Sequence, residues 1–137
     1  MYTIAEIYLK ILIDEEINWT EISKLNLTEE FMEEFYTKLY WPDVCMYNTN
    51  LTEKFIHRFS NFVYWPFVFV WQELSEEFIE QHKKYLDPPN WLFIYIYQNV
   101  SEEFLLKHKK ELHMITSTSK FCDDVEFQKK FNRVSTN

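Results

Sequence analysis

Apolar, hydroxyl and acidic positions recur in the same short order at four places along the chain. The four segments read Leu-Thr-Glu-Glu-Phe-Met at residues 27–32, Leu-Thr-Glu-Lys-Phe-Ile at 51–56, Leu-Ser-Glu-Glu-Phe-Ile at 74–79 and Val-Ser-Glu-Glu-Phe-Leu at 100–105. In each segment the hydroxyl residue suits the N-cap of a helix, and the acidic residues suit its first turn. The apolar residues on either side are spaced to pack together across the helix entrance. The pattern therefore predicts four helix starts in a repeat array.

A tryptophan precedes each of these helix starts, and the intervals between the tryptophans are 22, 24 and 26 residues. The four residues are Trp19, Trp41, Trp65 and Trp91. An aliphatic residue follows each tryptophan after three positions and a large apolar residue after six, which is the stripe of a short helix. The sequence thus predicts a short helix led by tryptophan, which we call the Trp helix, then a turn and a longer helix, which we call the Glu helix. One such repeat takes about 24 residues.

Together the two markers predict an all-α fold of tandem helix-turn-helix repeats, stacked as a small solenoid or compact bundle in a single domain. The predicted repeats are residues 18–39, 40–62, 63–86 and 87–112, between an N-terminal capping helix within 1–17 and a C-terminal cap with a frayed tail over 113–137. Residues 63–71 and 91–97 are rich in the residue types that strands favour, so two buried strands are the alternative there. Helices are favoured because residues 19–25 and 41–47 occupy the same place in their repeats and include polar positions.

Composition adds two expectations. The chain has no glycine, although about 7% is usual, so left-handed turns should fall to asparagine. The candidates are Asn26, Asn48, Asn50, Asn90 and Asn99. The net charge of −8 argues against unaided binding to nucleic acid or to an anionic membrane, and it favours a partner with a basic surface.

The repeated residues resemble those of a known family. A tryptophan, an aliphatic residue three later, an aromatic-Gln pair and the segment at 74–79 are similar to the short Trp/Leu-Ser-Glu-Glu-Phe repeats of giant DNA viruses and of phages from AT-rich hosts. The pairs are Trp71 with Gln72 and Tyr97 with Gln98, whereas the first two repeats depart from the family with Leu25-Asn26 and Tyr47-Asn48. The resemblance covers residues 18–112. It implies a viral or phage origin and a helical array, and it transfers no catalytic residue.

Signals for export or membrane insertion are missing from the sequence pattern. The first twelve residues carry charges and lack the order of a signal peptide. The longest nearly uninterrupted apolar run, at residues 62–71, is far short of the roughly 20 residues of a membrane span. With a viral or phage origin, the expected location is the host cytoplasm, with no membrane partner.

Candidate catalytic chemistry is sparse. The paired carboxylates at the helix starts are sequential neighbours, which do not face each other on a helix, so they are interpreted as solvated helix starts. His82 and His108 hold equivalent places in the last two repeats, but they lack cysteine or a second histidine at ligand spacing, which favours half-buried structural roles. Cys45 and Cys122 lie far apart, as is typical of a reduced protein. The sequence therefore predicts no catalytic residue, no metal and no cofactor.

The remaining prediction is a non-enzymatic protein-binding module, because stacked helix pairs offer extended surfaces and aromatic residues make up 20% of the chain. The candidate binding residues are the aromatics Phe67, Phe69, Trp71, Phe93 and Tyr95 and the acidic residues Glu76, Glu77, Glu102 and Glu103. The expected partner is a host or viral protein, such as a host defence nuclease of the CRISPR type that the protein would sequester, and self-association is a further possibility. The alternatives are a small enzyme with a site around His82 and His108, and a purely structural virion protein.

Overall fold

The computed structural model describes residues 2–116, with side chains described through residue 113. This part of the chain contains ten α-helices, one short 3₁₀ turn over Lys83–Tyr85 and no strand. The helices are α1 (Ile4–Leu12), α2 (Trp19–Ser23), α3 (Glu29–Glu34), α4 (Trp41–Tyr47), α5 (Glu53–Arg58), α6 (Trp65–Trp71), α7 (Glu76–Gln81), α8 (Pro88–Tyr97), α9 (Glu102–Lys107) and α10 (Lys109–Thr116). The all-α class is confirmed. The predicted C-terminal cap and tail, from residue 117 onward, lie outside the described residues.

Trp helices and Glu helices alternate as the two markers predict. The Trp helices are α2, α4, α6 and α8, and the Glu helices are α3, α5, α7 and α9. The two stretches for which strands were the alternative lie largely in α6 and α8, so the helical interpretation is confirmed there. The predicted N-terminal helix is α1, whose last residue, Leu12, is 81% exposed.

Each Glu helix begins with the predicted cap. The hydroxyl oxygens of Thr28, Thr52, Ser75 and Ser101 each accept a hydrogen bond, 3.1 Å long, from the backbone N–H three residues later. The donor belongs to the phenylalanine of the repeat in every case. This bond satisfies an N–H that the helix itself leaves unpaired, so the hydroxyl residue defines where the helix starts.

The Glu helices were predicted to be the longer helices of each repeat, but each ends after six residues. The ending residues Phe35, Phe59, His82 and His108 have φ between −113° and −100° and ψ between 22° and 27°. This bridge conformation turns the chain out of the helix without a positive φ. Among residues 2–116 the one positive φ is that of Asp14, at 55°, so the prediction that asparagines adopt the left-handed conformation is wrong for this part of the chain.

The sequence predicts one domain, and the structure divides the chain after Val68, within α6, into two compact units. We call Met1–Val68 the N-terminal unit and Phe69–Asn137 the C-terminal unit. Helix α2 packs against α4 in the first, and α8 packs against α10 in the second. The aliphatic residue three after each tryptophan is buried, at 0–2% exposure, in both units. These residues are Ile22, Val44, Val68 and Ile94.

Three of the tryptophan markers, Trp41, Trp65 and Trp91, are buried, and two of them bond to the backbone of the preceding turn. Trp41 donates its indole N–H to the carbonyl oxygen of Tyr36 at 3.0 Å, and Trp65 donates to that of Ser60 at 3.1 Å. In both cases the acceptor lies five residues earlier. The indole therefore supplies apolar area to the core and closes the turn that ends the previous Glu helix.

Candidate functional site

The five predicted aromatic binding residues do not share one surface. Phe69 and Tyr95 are 0% and 3% exposed, so the expectation that they are available to a partner is wrong. Each directly follows the buried aliphatic residue of its Trp helix and is part of the core. Phe67 and Phe93 are half-buried. Trp71 is 45% exposed and is the one of the five that solvent reaches to a large extent.

Two exposed aromatic residues, Tyr47 and Tyr97, are missing from the predicted binding residues, although they occupy the same repeat position as Trp71. The position six after the tryptophan marker was interpreted as part of the apolar stripe, but Tyr47, Trp71 and Tyr97 are 45–56% exposed there. This position is the last residue of α4, α6 and α8, where the helix ends and the side chain leaves the core. The available signal was the polar amide that follows each of them, namely Asn48, Gln72 and Gln98.

In the C-terminal unit, a buried glutamine connects the ends of two Trp helices. The Gln98 side-chain amide donates to the carbonyl oxygens of Phe69 at 2.8 Å and Gln72 at 2.7 Å. Its side-chain oxygen accepts from the N–H of Leu74 at 3.0 Å. The aromatic-Gln pair thus has a structural explanation, because one amide satisfies three backbone groups of the preceding repeat.

In the N-terminal unit, asparagine takes the equivalent place. The side-chain oxygen of Asn48 accepts from the N–H of Leu27 at 2.8 Å. A second connection comes from Ser23, whose hydroxyl donates to the carbonyl oxygen of Trp19 and accepts from the N–H of Tyr40. Buried polar side chains therefore join α2 and its following loop to α4.

In α3 and α7 the first glutamate links two repeats and is not only a solvated helix start. Glu29 accepts hydrogen bonds from the backbone N–H and the hydroxyl of Thr52, at 3.0–3.1 Å. Glu76 accepts from the N–H of Ser101 in the same way. Glu77, Glu102 and Glu103 are exposed, whereas Glu76 is half-buried. Of the four acidic candidates, Glu76 is therefore committed to the fold.

A groove lies between the two Glu helices of each unit. In the N-terminal unit it encloses about 210 Å³ between α3 and α5, and in the C-terminal unit about 270 Å³ between α7 and α9. The charged residues that line the first groove are Glu29, Glu30, Glu33, Lys54 and Arg58. Those that line the second, at equivalent positions, are Glu76, Glu77, Glu80, Glu103 and Lys107. Three carboxylates face two cations in the first groove, and four face one in the second.

Among the described acidic residues of the C-terminal unit, Glu80 has the pKa that is shifted furthest. Partial burial acts to raise its pKa, but hydrogen bonds from His108, Lys83 and Lys107 outweigh that effect and lower the pKa to about 2. Both lysine nitrogens lie 3.2 Å from the carboxylate, and a ring nitrogen of His108 contacts it directly. Glu80 is therefore neutralised by its neighbours, and the negative charge that the groove offers to a partner comes from the other acidic residues.

The two candidate histidines have structural surroundings. His82 is 3% exposed, its Nδ1 donates to the carbonyl oxygen of Phe78 at 2.7 Å, and its ring stacks on that of Phe78. His108 is 4% exposed and packs between the rings of Trp91 and Phe104, each 4.6 Å away between centroids. Among the described side chains, no group of three or more His, Cys, Asp or Glu residues could hold a metal ion.

Cys45 is the one cysteine within the described residues. It is fully buried, and burial raises the pKa of its thiol to about 12, against a smaller opposing effect of the Tyr64 backbone. A thiol in this state carries almost no thiolate at neutral pH, so it is not activated for nucleophilic chemistry.

No family model, curated protein or solved structure matches this chain. The similarity to viral and phage repeats therefore stays a prediction. Within residues 2–116, the longest helix has ten residues, and none has the length and apolar character needed to cross a membrane.

Proposed function

We propose that this protein is a non-enzymatic, protein-binding helical repeat module whose Glu helices dock on a basic surface of a partner. The observation that carries the proposal is the groove between α7 and α9, where four carboxylates face one cation. The groove of the N-terminal unit is built from equivalent residues but has Lys54 where this one has Glu103. The groove between α7 and α9 is thus the more acidic of the two.

Exposure decides which acidic residues would contact the partner. Glu76 is held by Ser101 and Glu80 is held by two lysines and a histidine, so neither is available to pair with new cations. Glu77 and Glu103 line the same groove and are exposed, and Glu102 lies beside them on the first turn of α9. A cluster of this kind attracts a basic partner over a Debye length and fixes its orientation.

The family resemblance suggests which partner this acidic surface would bind. A viral or phage protein that offers an acidic surface could occupy the basic nucleic-acid groove of a host defence nuclease and so sequester it in the host cytoplasm. This role requires shape and charge but no reaction, in keeping with the structural surroundings of both histidines and of Cys45.

The test is capture of host proteins on immobilised protein, in the wild type and in the E77K/E103K variant. The matched control is E16K/E30K, which changes the net charge equally and alters exposed residues of the N-terminal unit. We expect proteins retained by the wild type and the control to be lost in E77K/E103K, and to be released between about 0.05 and 0.5 M salt as charges are screened. Equal retention by all three proteins would contradict the proposal.

The contact between His108 and Glu80 favours a second candidate, a small enzyme centred on the histidines. Phenylalanine occupies the equivalent helix-ending positions of the N-terminal unit, so H82F/H108F should keep the fold. Purified protein would be assayed on nucleic-acid, phosphoester and carboxylester substrates. Activity that is present in the wild type and absent from a folded H82F/H108F variant would support this candidate, and equal activity in both would remove it.

A further inference from the structure

Two exposed aromatic side chains and one exposed carboxylate belong to residues that adjoin the Gln98 connection of the C-terminal unit in the sequence. Trp71 and Tyr97 are 45% and 56% exposed, and each directly precedes a residue of that connection. Glu73 is also exposed and lies between Gln72 and Leu74, the two residues whose backbone groups bond to the Gln98 side chain. One buried amide therefore fixes the backbone that carries all three side chains.

This fixed backbone matters because binding is weakened when side chains and loops must be ordered first. Gln98 is 8% exposed, and its three hydrogen bonds are 2.7–3.0 Å long. The ends of α6 and α8 are thus held side by side before any partner arrives. Only rotation of the exposed side chains remains to be restricted on binding.

The chemistry of the three groups suits a cation with a flat face. The faces of tryptophan and tyrosine rings attract cations, and a guanidinium group also stacks on them. Glu73 supplies a carboxylate two residues after Trp71, and Tyr97 is the last residue of α8, where the negative end of a ten-residue helix adds to the attraction. An arginine side chain uses all of these features, whereas lysine cannot stack in the same way.

We propose that Trp71, Glu73 and Tyr97 bind an arginine side chain of a basic segment in the partner protein. The inference rests on the proposed function, because it supplies the residue type that the acidic module recognises. Charge complementarity selects this occupant: the chain carries a net charge of −8, and the site itself contributes a carboxylate and no cation.

The N-terminal unit provides an internal comparison. Its equivalent positions hold Leu25 and Tyr47, and the connecting loop is one residue shorter, so nothing corresponds to Glu73. Only one exposed aromatic ring remains there, since Leu25 is half-buried. The arginine site is thus specific to the C-terminal unit among the described residues.

The test measures binding of an octa-arginine peptide and an octa-lysine peptide to the full chain by calorimetry. The variants are W71A, Y97A and E73Q, and the controls are Y47A and Y40A, which remove exposed tyrosines of the N-terminal unit. We expect W71A and Y97A each to weaken octa-arginine binding about 3- to 10-fold, with little change in the controls. The wild type should prefer octa-arginine over octa-lysine, and W71A should reduce that preference. Circular dichroism of each variant verifies that it is folded.

The E77K/E103K variant separates this inference from the proposed function. If octa-arginine binding falls in E77K/E103K but is unchanged in W71A and Y97A, the acidic groove binds the peptide and the arginine site is refuted. If it falls in W71A and Y97A but not in E77K/E103K, the arginine site stands and the groove is not the docking surface. Equal binding of the two peptides by the wild type would also overturn the proposed stacking.

Discussion

Phenylalanine ends both Glu helices of the N-terminal unit, and histidine ends both in the C-terminal unit. The backbone is nearly the same at all four positions, with φ between −113° and −100°. Phe59 stacks on Trp41 with ring centroids 5.6 Å apart, and His108 packs against Trp91 at 4.6 Å. The position therefore requires a flat ring beside the tryptophan, and an imidazole satisfies it while adding a polar contact with Glu80.

The amide connection likewise keeps one backbone contact in both units while the side chain that makes it differs. Asn48 and Gln98 both reach the N–H of the apolar residue before a cap, but the longer Gln98 also reaches two carbonyl oxygens. The repeat thus keeps its backbone hydrogen bonds while its side chains diverge. This divergence gives the C-terminal unit the more acidic of the two grooves, and two exposed aromatic rings at its Trp-helix ends where the N-terminal unit has one.

The largest loss of stability should come from removing a tryptophan marker, and it should be the same in the two units. Trp91→Ala and Trp41→Ala should each lower the free energy of unfolding by about 3–5 kcal/mol, because both indoles are 6% exposed. Urea unfolding followed by circular dichroism measures the loss. An unchanged midpoint in either variant would show that its indole is not a core residue.

The amide connection gives the next largest effect and the clearest difference between units. Gln98→Ala leaves three buried backbone groups without this partner and should lower the free energy of unfolding by about 2–4 kcal/mol. Asn48→Ala should have a smaller effect, of about 1–2 kcal/mol. A larger loss of unfolding free energy in Asn48→Ala than in Gln98→Ala, measured by urea unfolding, would contradict this difference between the units.

Removing a helix cap should have a modest and equal effect in both units. Ser75→Ala and Thr28→Ala each lose one side-chain hydrogen bond to a backbone N–H, at about 1 kcal/mol. Thermal melting of the two variants side by side provides the measurement. A complete loss of folding in one of them would assign its hydroxyl a further role.

The smallest effect at neutral pH should come from Glu80→Gln, below about 1 kcal/mol, because both lysine partners are largely exposed. The contribution of Glu80 to stability should depend on pH. Folding lowers the pKa of Glu80 to about 2, so the ionised carboxylate stabilises the folded state above the ordinary glutamate pKa near 4.5. That contribution should vanish as the pH falls from about 4.5 to 2.

Unfolding of the wild type and of Glu80→Gln across this range tests the assignment. The difference between their free energies of unfolding should shrink toward zero at low pH. The variant Glu77→Gln, which alters an exposed neighbour in the same groove, serves as the control. A difference that stays constant from neutral pH to pH 2 would mean that the cluster does not stabilise the ionised form of Glu80.

The sequence alone determined the parts of this protein that depend on near neighbours. Capping by Thr28, Thr52, Ser75 and Ser101 acts across three residues, and the burial of the aliphatic residue after each tryptophan follows from helical spacing. Such features repeat whenever the pattern repeats, so the all-α class and the helix starts could be predicted from it.

Only the tertiary structure decided where each helix ends and which side chains face solvent. The helices α3, α5 and α9 stop at a ring that packs on a tryptophan, a contact outside the helix itself. Phe69 and Trp71 are two residues apart in one helix, yet one is buried and the other is exposed, because the helix end at Trp71 lies beyond the packed core. Gln98 and Glu76 are buried or half-buried because their partners belong to another repeat. Interactions between repeats have no local signature, since they depend on residues that meet only after the chain has folded.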